Sequence, residues 1–119
     1  MPTIQKFETR KIDPKAWGTE LLVAHTPHYT GKVLYMNAGG TGHLQYHEHK
    51  DETFYLFSGE ALVEYALEDG TLTTYAMNAG EAFHVPVGAV HRVQAVTPCV
   101  FFEASTPAFD DRVIVREHK

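Results

Sequence analysis

The sequence predicts an all-β, single-domain barrel. Three observations predict it. Apolar, β-branched and aromatic residues come in about nine or more short runs of strand length. Turn signals separate these runs at roughly 8–12-residue intervals, among them Pro27, Gly39-Gly40, Gly59, Asp69-Gly70, Pro86 and Pro98. No stretch of useful length shows the 3.6-residue period of an amphipathic helix. Closing the strands into a barrel would also remove most exposed sheet edges. At 119 residues the chain is long enough for one hydrophobic core, and we place it at about residues 30–106 of a single domain spanning 1–119.

Residues 5–12 read as an edge strand with poor alternation, followed by a turn at Asp13-Pro14-Lys15. Trp17-Gly18 leads into a strand at 20–25 that Pro27 ends, and Trp17 is read as an apolar cover for the barrel. Lys32–Met36 is a compact apolar strand, and the glycine-rich 37–42 is a loop. That loop has the composition of a phosphate cradle, but no helix follows to hold the anion. A strand is expected over 44–49, then an aromatic-rich one over 53–57, broken at Ser58-Gly59-Glu60. Residues 61–67 and 71–75 flank Asp69-Gly70, a strong hairpin signal. Shorter strands follow at 82–85 and 90–96, then 100–104, with an edge strand at 113–115.

Composition excludes several classes. A net charge of −5 with histidine neutral argues against a nucleic-acid partner, which calls for a basic patch. No apolar run approaches the ~18 residues of a membrane span, and Met1–Lys6 lacks the apolar segment of a secretory signal. The single cysteine, Cys99, allows no internal disulfide and suits the cytoplasm. It lies in an apolar run and reads as a buried, inert thiol.

The chemistry concentrates in Gln45-Tyr46-His47-Glu48-His49-Lys50-Asp51-Glu52. If the strand runs through His49, then Gln45, His47 and His49 point to one face. Lys50-Asp51 reads as a tight polar turn returning Glu52 toward the two imidazoles, and His91 is the fourth candidate. Three neutral imidazoles and one carboxylate would hold one divalent ion and leave positions open for water or substrate. Such nitrogen and oxygen donors suit Fe, Mn, Ni or Zn without choosing among them. The remaining histidines read as peripheral: His25, His28 and His118 as solvated, His84 as packing or surface, and His43 as outside the pocket, although it shares the parity of His47.

Two stretches, Gly42 to Gly59 and Gly80-Glu-Ala-Phe-His-Val-Pro86-Val-Gly88-Ala-Val-His91, resemble the paired motifs of the cupin superfamily. The second matches in its Gly, Pro, Gly and His spacing; the first in His-x-His and Glu-x6-Gly. The resemblance implies a double-stranded β-helix, the cupin jelly-roll barrel. It also implies His47, His49, Glu52 and His91 as metal ligands inside it. Lys15–Glu20, Leu44–His47, Glu103 and Asp110-Asp111 further resemble the small cupin domain of type II mannose-6-phosphate isomerases. The chain departs from these patterns at Ala16, where that branch usually has proline, and at Ala95, where many cupins have asparagine. Only Lys50 and Asp51 separate His49 from Glu52, where the general pattern has three or four residues.

The expected function is therefore a metal-dependent enzyme acting on a sugar, sugar phosphate or hydroxy acid. The ion would polarise a hydroxy-carbonyl unit while a base moves a proton between adjacent carbons, as in aldose–ketose isomerisation. Glu103 is the candidate base, and Gln45 the candidate hydrogen-bonding partner for a substrate hydroxyl. A phosphate would need Arg or Lys aimed at it. Lys32, Lys50 and Arg92 are available, but Arg92, of opposite parity to His91, should point outward. A non-phosphorylated polyol or hydroxy acid therefore stays open. The rivals are an iron-dependent dioxygenase and a non-catalytic sugar-binding cupin. Apolar residues on both parities of 54–57 and 100–102 predict a homodimer.

Overall fold

The computed structural model describes residues 1–12, 14–108 and 111–116. The expectations for Asp13, Asp110 and His118 fall outside the described residues. The strands are β1 (Arg10–Lys11), β2 (Gly18–His25), β3 (Thr30–Met36), β4 (Leu44–His47), β5 (Glu52–Ser58) and β6 (Glu60–Ala66), followed by β7 (Leu72–Asn78), β8 (Ala82–Val85), β9 (His91–Ala95), β10 (Cys99–Ser105) and β11 (Arg112–Arg116). They form two antiparallel sheets, β1-β2-β3-β10-β5-β8 and β11-β4-β9-β6-β7. Among the described residues there is no helix, and so none that is long and apolar enough to cross a membrane.

Period-two burial shows why these segments are strands. β5 alternates without interruption from buried Glu52, Phe54 and Leu56 to exposed Thr53, Tyr55 and Phe57. The inward set meets Met36, Phe101, Val63, Met77 and Val85 between the sheets, which is where the hydrophobic core sits. Phe54 packs edge-on against Phe101 with ring centroids 5.8 Å apart. Gly59 joins β5 to β6 at φ +99°, and a Cβ there would lie 2.3 Å from the Pro98 carbonyl oxygen. Glycine is thus required both by conformation and by space.

The expected edge strand over 5–12 shortens to Arg10–Lys11, the two residues paired to Leu22 and Leu21 of β2. Residues 1–9 carry no regular structure and are exposed. Their alternation offers no apolar face to bury, so nothing extends the pairing.

The strand expected through His49 ends at His47. Glu48–Asp51 form a connection pinned by Asp111, whose Oδ2 accepts the backbone N–H groups of His49 (2.8 Å) and Lys50 (2.7 Å). Same-face alternation holds only while the backbone stays extended. His49 is accordingly exposed.

Candidate metal centre

Four strands converge on one end of the barrel interior. β4 contributes Gln45 and His47, two residues apart on one face. β9 runs antiparallel beside it with His91 directly opposite Gln45. β5 opens with Glu52, and β10 contributes Glu103 two residues beyond the core Phe101. Gly88 anchors the turn before β9 by donating its N–H to the His47 carbonyl, 2.9 Å away, at φ +85°.

His47, Glu52 and His91 are all buried, and one ligand atom from each lies within 4.8 Å of the others. Glu52 Oε1 stands 3.5 Å from His47 Nε2 and 3.3 Å from His91 Nε2. The other ring nitrogens are engaged elsewhere. His91 Nδ1 donates to the Ala89 carbonyl at 2.9 Å, and His47 Nδ1 lies 3.0 Å from Asp111 Oδ1. This leaves both Nε2 atoms facing Glu52, the arrangement by which outer partners orient metal-ligating histidines. Of the four ligands expected from the sequence, the structure brings three together and leaves His49 outside.

The electrostatics follow from burial and neighbours. Burial pushes the Glu52 carboxyl up, but the His47 and His91 imidazoles and the Lys50 ammonium outweigh it and hold the group far below the ordinary range. Burial lowers the His47 pKa, yet hydrogen bonds to Glu52 and Asp111 raise it overall. Metal ligation needs the neutral imidazole, so the raised pKa sets proton loss against metal binding as pH falls. For Asp111, burial is again overcome, by the two backbone N–H groups and His47, so its pKa falls.

For Lys50 the sequence offered a turn position and a cation available to a phosphate, not the role that the structure gives it. Read as part of a polar turn, it is instead buried, at 8% exposure. Its Nζ lies 2.9 Å from Glu52 Oε2 and 3.3 Å from Glu103 Oε2. The contact with Glu52 is an ion pair, and among the described residues Oε2 has no other polar partner. Burial opposes the ammonium, but the two carboxylates raise its pKa and keep it charged. Glu103 is pushed up to about 7, first by burial and then by the Glu52 charge, with Lys50 and Lys32 holding it down part of the way. Asp111 also entered the sequence reading only through the resemblance; its link to His47 spans 64 positions.

These groups line a cavity of about 540 Å³ that Gln45, His43 and Trp17 also border. Trp17 is half-buried and packs against the core, consistent with its reading as a cover. Toward one side Glu20 sits between Lys32 (3.1 Å) and Lys15 (3.7 Å). Arg92 is engaged by Glu64 at 2.6 Å. His84 is exposed and meets Asp51 at 2.7 Å. Cys99 is buried, and burial raises its thiol pKa, so it is an inert packing residue.

The metal-free protein should be most stable near pH 5. Glu103 and His47 have raised folded-state pKa values, so the stability they contribute is present at low pH and is lost as pH rises through those values. Glu52 and Asp111 are depressed, so their contribution is full above their unfolded values and is lost as pH falls. Moving a carboxyl from its ordinary value to about 7 corresponds to about 3 kcal/mol. Urea unfolding of chelator-treated protein at pH 5 and pH 8 checks this. Equal or greater stability at pH 8 would contradict it.

Comparison with known proteins agrees with this geometry. The sequence profile described as "Cupin domain" matches residues 32–105. No curated protein matches. Among solved structures, the capsular polysaccharide assembling protein CapF of Staphylococcus aureus is similar at TM-score 0.80 and 19% identity, over 92% of this chain and 33% of that one. The chain thus spans about a third of CapF. KdgF of Halomonas sp. is similar at TM-score 0.73 and 25% identity, over 86% of this chain and 89% of that one. Oxalate decarboxylase of Bacillus subtilis, described with Mn(II) centres, is similar at TM-score 0.75 and 20% identity, over 89% of this chain and 30% of that one. With two facing antiparallel sheets, a histidine–carboxylate cluster between them and a family profile spanning most of its length, the chain belongs to the cupin family.

Proposed function

We propose that this cupin is a small metal-dependent enzyme of sugar, sugar-phosphate or hydroxy-acid substrates, moving a proton between adjacent carbons as an aldose–ketose isomerase does. One observation carries the reading. Glu52 Oε1 faces two Nε2 atoms whose rings are oriented from behind. His47, Glu52 and His91 are the holders of the ion, with Gln45 offering its amide oxygen as a fourth donor from the same face of β4. Counted from His47, four residues precede Glu52, the spacing of the general cupin pattern, and Gln45 then stands in the place of its first histidine. His49 has no role in this set. The donors suit a first-row metal, Fe, Mn, Ni or Zn. Bound there, a divalent ion would supply Lewis acidity toward a hydroxy-carbonyl unit.

The chain supplies the rest. Glu103, at about 7, can take and return a proton near neutral pH. In the forward direction its carboxylate Oε2 would accept the proton from the carbon bearing the hydroxyl and return it to the neighbouring carbonyl carbon. The hydroxyl proton passes to the carbonyl oxygen, so the two carbons exchange their oxidation levels with no net loss of protons. Lys50 keeps a positive charge 3.3 Å from that oxygen and so favours its ionised form before the transfer. Trp17, at the cavity border, limits the entry of water. Lys15 and Lys32 place ammonium groups on the same cavity, where an anionic substrate substituent would be held.

The test has two parts. Protein purified without added metal should retain a first-row ion, and His47→Ala should lose it. The metal-loaded protein, incubated in D2O with aldoses, their phosphates and hydroxy acids, should incorporate deuterium at the carbon beside the carbonyl, and Glu103→Gln should abolish this while keeping the metal. Retained metal with no exchange from any substrate would replace this reading with the non-catalytic sugar-binding one. Lys50 favours that second reading to one extent: it already gives Glu52 an internal cation.

A further inference from the structure

We propose that Glu20, Lys32 and Lys15 form a second subsite of the cavity, one that takes a carboxylate at the far end of the substrate and rejects a phosphate. Glu20 is its specificity-determining residue. The proposal rests on the reading of the metal centre and Glu103 as the reacting end, and it assigns what lies at the other end.

Strand register builds the subsite. β3 pairs with β10 so that Lys32 stands directly opposite Glu103. β2 pairs with β3 so that Glu20 stands opposite Leu34, two residues on from Lys32. Glu20 and Lys32 occupy inward positions, are 8% and 9% exposed, and line the same cavity as Glu103. Lys15 comes from the turn before β2, which two backbone hydrogen bonds between Lys15 and Gly18 close. A Cβ at Gly18 would lie 1.9 Å from the Tyr35 carbonyl oxygen, so this turn sits tight against β3. Glu20 is thus gripped from both sides, by Lys32 at 3.1 Å and Lys15 at 3.7 Å. Burying charge is costly, and apolar side chains would fill these positions without that cost. On a cavity wall, the groups can meet a polar ligand.

Distance sets the length of that ligand. Neighbouring strands are about 4.8 Å apart, so Lys32 lies about one spacing and Glu20 about two spacings from Glu103 across the sheet. With carbon–carbon bonds of about 1.5 Å, a six-carbon chain extends about 6 Å from end to end. Proton transfer between the first two carbons at Glu103 therefore places the sixth between Lys32 and Glu20.

Charge sets its end group. Two ammonium groups and one carboxylate leave a single positive charge. A ligand carboxylate balances it and accepts hydrogen bonds from the lysines. A phosphate ester brings about −1.5 to −2 and only acceptor oxygens, which Glu20, itself an acceptor, opposes. A neutral hydroxyl leaves the surplus charge unbalanced.

The experiment compares three ligands that differ only at the sixth carbon: a hexuronate, the parent hexose and its 6-phosphate, in the gluco, manno and galacto series. Calorimetric titration into the metal-loaded protein reads binding without turnover. In at least one series the hexuronate should bind about tenfold or more tighter than either of the others. Glu20→Gln should raise affinity for the 6-phosphate by about tenfold or more. Lys32→Met should lower affinity for the hexuronate by about 10–100-fold and leave the hexose within about threefold. Circular dichroism checks folding. If Glu20→Gln does not fold, Lys15→Met removes the surplus charge instead and should bring the hexuronate down to the hexose. A hexose or 6-phosphate that binds as tightly as the hexuronate in every series would overturn the proposal, and so would no binding of all three. Hexuronate preference without deuterium exchange would uphold the subsite and remove the isomerase reading. Exchange without that preference would do the reverse.

Discussion

Lys50→Met is expected to lower the unfolding free energy of the metal-free protein by about 3–5 kcal/mol at pH 8. The ammonium is the cation held between two buried carboxylates, 2.9 Å from Glu52 and 3.3 Å from Glu103. Methionine fills the volume but leaves those charges uncompensated. Breaking a buried pair from one side costs far more than removing both partners. The protein can relieve the strain by protonating Glu103, already pushed up to about 7. The loss should therefore shrink at pH 5, and Lys50→Met combined with Glu103→Gln should recover much of it. Denaturant unfolding of the single and double variants at both pH values measures this, with the coupling read from the cycle. A change below about 1 kcal/mol at pH 8 would mean that the ammonium is not buried between the carboxylates.

The second large effect is on metal affinity. His47→Ala and His91→Ala each remove an inward nitrogen facing Glu52 and should weaken binding by more than about 100-fold. Asp111→Asn should weaken it by about 10–100-fold, the range found when a partner that orients a ligating histidine is replaced. His49→Ala should leave affinity unchanged, because that side chain is exposed beyond the end of β4. Calorimetric titration of chelator-treated protein with Mn, Ni or Zn resolves the series. Loss of binding in the His49 variant, with normal binding in the His91 variant, would reverse the assignment. Metal-induced proton release provides a second readout: ligation needs the neutral imidazole and the His47 pKa is raised, so the release should grow as pH falls.

Most of the fold was legible because strand signals are local. The β6–β7 hairpin follows from Asp69-Gly70, and the break at Gly59 from a turn that a side chain cannot enter. The span of β8 was read without error, while the ends of the other strands after β1 moved by up to three residues. The segment over 5–12 failed because pairing with β2, and not propensity, decides where an edge strand stops. The site was legible in part. Tertiary packing brings His47, Glu52 and His91 together, and Glu103 is buried beside them. The burial of Lys50 between two carboxylates and the contact of Asp111 with His47 were not legible, since nothing in the neighbours of either residue marks it for that partner.

From the sequence alone came the β class, the alternating faces and the short roster of side chains able to bind a metal. These depend on neighbours within a few positions, so the order of residues is enough to read them. The folded chain alone decided that the extended backbone stops at His47, which turns His49 to solvent. It also decided that Lys50 meets Glu103 from 53 positions away and Asp111 meets His47 from 64. The physical reason is that burying a charge is tolerable only beside its counter-charge, and partners that far apart are chosen by the topology of the sheets.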